Sequence, residues 1–281
     1  MSEQTSVDQP SREAAGESRR ALRGGRTIEY FVRGEGPPIV LAASLGREAS
    51  DFNELAGALN AAGFRTLAVQ APGIGVTDPV TGQLTLDTLA QDVLAVVEAD
   101  AAAGARHVRL GVGHAFGNRL IRTATSLRPD LIPAVALLAA GGQRPIPERA
   151  ARALAGCFEP GVARARHLEN VRYAFFADGN PVPEHWRRGW HRMAARIQRA
   201  AVANTGDTAW QRGGTGPMLV VQASDDRIAP KADTADLLQA RFPERVRVEV
   251  VGPAGHALLP EQPEAVARAL ISFLDSCRCY P

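Results

Sequence analysis

The feature that most constrains this chain is an alternation: short apolar runs suited to strands are separated repeatedly by segments with apolar residues at helical spacing. Residues 38–43 are continuously apolar, as suits a strand buried on both faces of a parallel sheet. Residues 50–62 then carry Phe52, Leu55, Ala56 and Leu59 at helical spacing, with Ser50 placed as a cap and Gly63 as a stop. The same reading predicts strands over 27–32, 64–69, 107–112, 134–139, 218–223 and 246–251, and helices over 84–102, 118–127, 232–241 and 264–276. Strands that alternate with helices of ten or more residues form βαβ units. The expected fold is therefore α/β, with a mainly parallel central sheet and helices on both faces.

The alternation breaks once, over residues 142–216, where helices are predicted over 146–158, 162–176 and 183–204 with no strand between them. This stretch holds all three tryptophans, Trp186, Trp190 and Trp210, and the paired Phe175 and Phe176. It is expected to be a helical lid inserted into a core made of 26–141 and 217–276. The three tryptophans are candidate pocket residues, although large aromatics in such a segment pack a core more often than they line a site. Residues 1–25 are small and polar and are expected to form a disordered leader, with 277–281 a tail.

Composition excludes several classes of function. A net charge of +2, with its arginines scattered and Lys231 its single lysine, gives no basic stripe for nucleic acid or an acidic membrane. Three cysteines (Cys157, Cys277 and Cys279) do not make a secreted disulfide framework or a closed metal site, so neither metal nor cofactor is expected. No segment reaches the roughly 18 apolar residues of a membrane span, and the expected location is the cytoplasm. The partner these features leave is a small molecule.

Three motifs stand at strand ends. Gly113-His114-Ala115-Phe116-Gly117 lies between a predicted strand and a helix; Ser224-Asp225-Asp226-Arg227 follows the strand at 218–223; Gly252-Pro253-Ala254-Gly255-His256 follows the last strand. The first resembles the nucleophile elbow, G-x-S-x-G, of the α/β-hydrolase fold superfamily, and the other two are similar to its acid and histidine loops in the family's chain order. The resemblance covers residues 27–276. It implies a catalytic acid at Asp226, with adjacent Asp225 the alternative, and a catalytic histidine at His256. It also implies an oxyanion hole from the backbone N–H groups of Leu45 and Phe116, the turn Ser44-Leu45-Gly46 standing where relatives carry His-Gly-x. Gly113 and Gly117 fit a turn in which a Cβ would collide with its neighbours. His114 resembles the residue that packs beneath the elbow, and Ser44 is a pocket candidate.

The departure is at the centre: Ala115 stands in the nucleophile's place. Alanine offers no lone pair to a carbonyl carbon, so no acyl-enzyme can form through this residue. Several readings stay open. The chain is an engineered Ser-to-Ala form of a serine hydrolase, or a natural enzyme in which His256 and Asp226 perform general-base chemistry on a small ester- or lactone-like carbonyl compound. Otherwise it is a cofactor-free lyase or isomerase, or a ligand-binding protein without catalysis. Ser44-Leu45-Gly46-Arg47 combined with the alanine elbow is similar to a bacterial subgroup of the superfamily, which favours an inherited alanine.

Overall fold

The apolar runs assemble side by side into one eight-stranded sheet of order β1-β2-β4-β3-β5-β6-β7-β8, seen in a computed structural model that describes residues 16–141, 144–206 and 210–277. The strands are β1 (Glu17–Arg23), β2 (Arg26–Arg33), β3 (Pro38–Ala42), β4 (Arg65–Val69), β5 (Leu110–His114), β6 (Val135–Leu138), β7 (Met218–Ala223) and β8 (Val246–Val251). All pairings from β3 to β8 are parallel; β1 and β2 join one edge antiparallel. Every residue of β3, β5, β6 and β7 is buried, as a sheet covered on both faces requires.

Helices cover both faces. On one side α2 (Leu86–Ala102), α3 (Gly117–Leu127) and α7 (Ala235–Arg241) pack Leu89, Val93, Ile121 and Leu238 against Val40, Leu67 and Val220. On the other, α1 (Asn53–Ala61) and α8 (Pro263–Cys277) pack Leu55, Leu59, Val266 and Leu270 against Leu41, Val112 and Leu219. Alternate residues of each strand supply the two cores, as the period-two geometry of a strand dictates. Between β6 and β7 the described residues hold α4 (Glu148–Gly156), α5 (Arg164–Phe175) and α6 (Arg192–Ala203), which share a separate core including Ala153, Phe158, Val171, Phe175 and Trp186.

Four expectations are corrected. Residues 17–23 of the expected leader are a strand, joined to β2 through Gly24 and Gly25 at φ of 56° and 78°. This two-residue Gly-Gly turn suits the twist of a hairpin. The strand looked like a leader because only Ala21 is buried, while its charged side chains keep the sheet edge polar. Residues 1–15 lie outside the described residues, as do 142–143 and 207–209 of the inserted stretch and 278–281 of the tail; Cys277 belongs to α8. Ser50 does not cap a helix: a 3-10 turn, Ala49–Phe52, precedes α1, and the Ser50 hydroxyl contacts Glu48 at 3.3 Å.

The single helix predicted over 183–204 is divided into a 3-10 turn, Glu184–Trp186, and α6, with Gly189 between them at φ of 69°. The break is offset by Arg47. Its guanidinium donates to the carbonyls of His185 (3.2 Å), Arg188 (2.6 Å) and Gly189 (3.0 Å), groups that a broken helix leaves without their own partners.

Candidate active site

The strand order places the site. β3 lies between β4 and β5, so the chain leaves it in one direction and returns on the other side, opening a crevice beyond the carboxyl ends of β3 and β5. Ala42 pairs with Gly113 across this switch point. The turn after β3 and the elbow after β5 therefore face each other.

Ala115 sits at the elbow with φ of 48°, in the left-handed region that non-glycine residues seldom occupy. Its N–H donates to Leu138 at 2.9 Å, and its carbonyl accepts from the Asn118 backbone at 3.2 Å and from the Asn118 side chain. The flanking glycines permit the turn. A Cβ on Gly117 would lie 1.9 Å from the Ala42 carbonyl oxygen, and one on Gly113 would lie 2.4 Å from the Asn118 nitrogen. The sharp turn thus holds α3 against β3 and aims its N-terminus at the crevice.

Opposite stands the histidine. His256 Nδ1 is 3.0 Å and 2.9 Å from the two carboxylate oxygens of Asp226, and both residues are buried. Asp226 Oδ1 also accepts from the backbone of Ile228 (2.9 Å) and Ala229 (2.7 Å), which fixes the carboxylate. A carboxylate on Nδ1 leaves Nε2 as the nitrogen able to take a proton. Neighbouring Asp225 is turned away: its backbone donates to Ala254 (2.8 Å) and its side chain accepts from Ser224 (2.6 Å).

His114 lies beneath this pair and does not line the crevice. Its Nε2–H donates to the His256 carbonyl at 2.8 Å, and no described residue pairs with Nδ1. Burial, then the nearby His256, pulls its pKa down to about 4. It is a neutral ring that supports the histidine loop. The unfolded chain protonates this histidine near its ordinary value while the folded chain does not, so its stability is complete above pH 6.5 and is lost as pH falls towards 4. Acidification across that window is expected to remove about 3 kcal/mol through this ring. Urea unfolding of the H114Q variant should show a correspondingly flatter acid limb; an unchanged limb would assign the loss to other groups.

Ala115 and His256 line one cavity of about 560 Å³, together with Ser44, Leu45 and Phe116. The N–H groups of Leu45 and Phe116 enter none of the backbone hydrogen bonds of these loops, whereas those of Gly46, Arg47 and Ala115 do. The inserted helices contribute Leu154, Phe175, Arg199 and Val202 to the same wall. The tryptophans are a correction, for none lines this cavity. Trp186 and Trp190 pack in the core of the inserted helices, with Arg47 stacked 4.4 Å and 4.8 Å from their rings, and Trp210 packs on the sheet side beneath Arg119. Their size suits them to filling those cores. Sequence reasoning missed Asn118, Arg119, Arg144, Arg199 and Gln211 as lining residues. For the first two, their place in the first turn after the elbow was the available signal.

Comparisons with known proteins agree with this geometry. The model of the alpha/beta hydrolase family matches residues 31–269. A Mycobacterium tuberculosis protein named as a non-heme bromoperoxidase, BpoC, is 28% identical over 276 residues, covering 89% of this chain and 98% of its own. Among solved structures, a protein described as a lipase of Acinetobacter baumannii superposes with a TM-score of 0.77 at 16% identity, covering 99% of this chain and 100% of that one. An esterase of Exiguobacterium antarcticum gives 0.73 at 19% identity, covering 92% and 99%. At such identities the two structures establish the fold alone. The family match over most of the chain, with the sheet order and strand-end loops described above, makes this protein a member of the α/β-hydrolase family.

Proposed function

We propose that the chain acts on a small carbonyl compound of ester or lactone type, with His256 serving as general base towards water in place of a side-chain nucleophile. The observation that carries this reading is the oriented pair. Asp226 holds His256 Nδ1 through both oxygens in a buried setting, and His256 faces the same cavity as the vacant elbow position at Ala115. A protein that only binds a ligand has no need for a base fixed in this way. The named activities of the esterase and lipase neighbours are chemistry at an ester carbonyl, the class proposed here.

In this mechanism His256 Nε2 removes a proton from water as its oxygen attacks the carbonyl carbon, and Asp226 stabilises the imidazolium that forms. The negative charge gathering on the carbonyl oxygen is held by the Leu45 and Phe116 N–H groups and by the N-terminus of α3. The imidazolium then returns the proton to the departing alkoxide, giving an acid and an alcohol. No acyl-enzyme arises.

Hydrolysis of short activated esters and lactones by the unaltered chain tests this. H256A is expected to lower kcat/KM by about a hundredfold or more, the usual contribution of a positioned general base. Equal rates for the two chains would remove the proposed role of His256.

A further inference from the structure

The cavity carries a charge pattern that ester hydrolysis by itself does not require. Its inner end is the elbow and His256, and its wall is largely apolar, with Leu45, Phe116, Leu154, Phe175, Val202 and Ile228. Three arginines also line it, brought in by separate parts of the chain: Arg119 on α3, Arg144 after β6, and Arg199 on α6, which lines a neighbouring cavity beside Phe158 as well. No aspartate or glutamate is among the described lining residues.

Two of these arginines are held from behind by aromatic rings. Arg119 Cζ lies 4.7 Å from the Trp210 ring centroid, and Arg199 Cζ lies 5.0 Å from that of Phe158. Such stacking orients a guanidinium. Arg144 and Arg199 make no hydrogen bond or ion pair with a described residue. Other arginines are neutralised by carboxylates, as Arg26 is by Asp92 and Arg47 by Asp51.

Like charges gathered at one cleft repel, and low-dielectric walls focus their field into it. An anion entering the cleft relieves the repulsion. The guanidinium fork matches the two-oxygen edge of an acid group, which a single point charge does not. We propose that the substrate is a carbonyl compound with an acid group at its far end: an apolar carbon chain lies along the wall, the reacting carbonyl is at Ala115 and His256, and an oxyanion such as a carboxylate is held by Arg144 and Arg199, with Arg119 adding to the field. The inference rests on the reading of the site given above and adds the chemical class of the substrate.

Calorimetric titration of the unaltered chain with three esters sharing one carbon skeleton tests it: monomethyl adipate, dimethyl adipate, and the phosphonate analogue of the monoester. The carboxylate ester is expected to bind about tenfold more tightly than the neutral diester, with most of the preference lost as salt is raised. The phosphonate arm distinguishes a carboxylate site from one that prefers a phosphate-like group. In the R144Q/R199Q chain, altered at two exposed positions, the preference should fall to within about threefold. Equal binding of acid and neutral esters by the unaltered chain, an undiminished preference in the double variant, or no binding of any ester would overturn the proposal.

Failure here is distinct from failure of the hydrolytic reading. A neutral ester hydrolysed in a His256-dependent way, without anion preference, would leave that reading standing and remove the acid group. Anion preference without His256-dependent chemistry would do the reverse.

Discussion

A115S is expected to react covalently with serine-directed phosphonates and to hydrolyse small activated esters through an acyl-enzyme, at least about 10³-fold faster than the alanine form. The substitution adds one oxygen at a residue already held at φ of 48° by its bonds to Leu138 and Asn118, so the backbone strain of an elbow is present before the nucleophile arrives. The base and its acid are also in place, with His256 held by both Asp226 oxygens. The added hydroxyl has somewhere to point, because Ala115 lines the cavity. Mass spectrometry of the phosphonate adduct and burst kinetics with a p-nitrophenyl ester provide the measurement. A folded A115S chain that is neither labelled nor active would mean that His256 does not reach residue 115 and that the elbow serves the fold alone.

D51A is expected to destabilise the protein by about 3–5 kcal/mol, read as a lower urea midpoint. Arg47 and Asp51 are both buried, and their ion pair is bidentate, with Nε at 2.8 Å and Nη2 at 2.6 Å. Removing the carboxylate leaves a guanidinium that stays charged among Trp186, Trp190 and three carbonyls, out of reach of bulk water. The damage should extend to the site. Gly46, beside Arg47, donates to Gln198 (2.7 Å) and accepts from His191 (2.9 Å), so the turn bearing Leu45 is fastened to α6. Weaker ligand binding should therefore accompany the loss of stability. The R47M/D51L pair is expected to regain only part of the stability, since it removes the unpaired charge but leaves the carbonyls of His185, Arg188 and Gly189 without their donor. A D51A loss below about 1 kcal/mol would show that water reaches the pair.

How much was legible in the sequence depended on how local the cause was. The parallel strands could be read because a strand covered on both faces must be apolar at every position, as β3 and β7 are. Edge strand β1 escaped notice because such a strand buries little, here Ala21 alone, and its composition matches that of an unstructured segment. The Gly24-Gly25 turn was its one clear trace. Asp226 and His256 were implied by the resemblance of the loops after β7 and β8 to the family's acid and histidine loops in their chain order. The tryptophans could not, because an aromatic at helical spacing gives no sign of whether it faces a cavity or a neighbouring helix.

The sequence by itself determined the alternating architecture, the glycine-flanked turn and the absence of a nucleophile at residue 115, because each depends on the chemistry of a few neighbouring residues. Only the tertiary structure decided that Arg47 would close a break in the inserted helices, that His114 would be a neutral support, and that Arg119, Arg144 and Arg199 would meet at one cavity. Residues 119, 144 and 199 lie on separate segments, and no periodicity in a sequence reports which side chains turn towards the same space. Their convergence follows from the elbow helix, the segment after β6 and an inserted helix sharing the wall of one cavity.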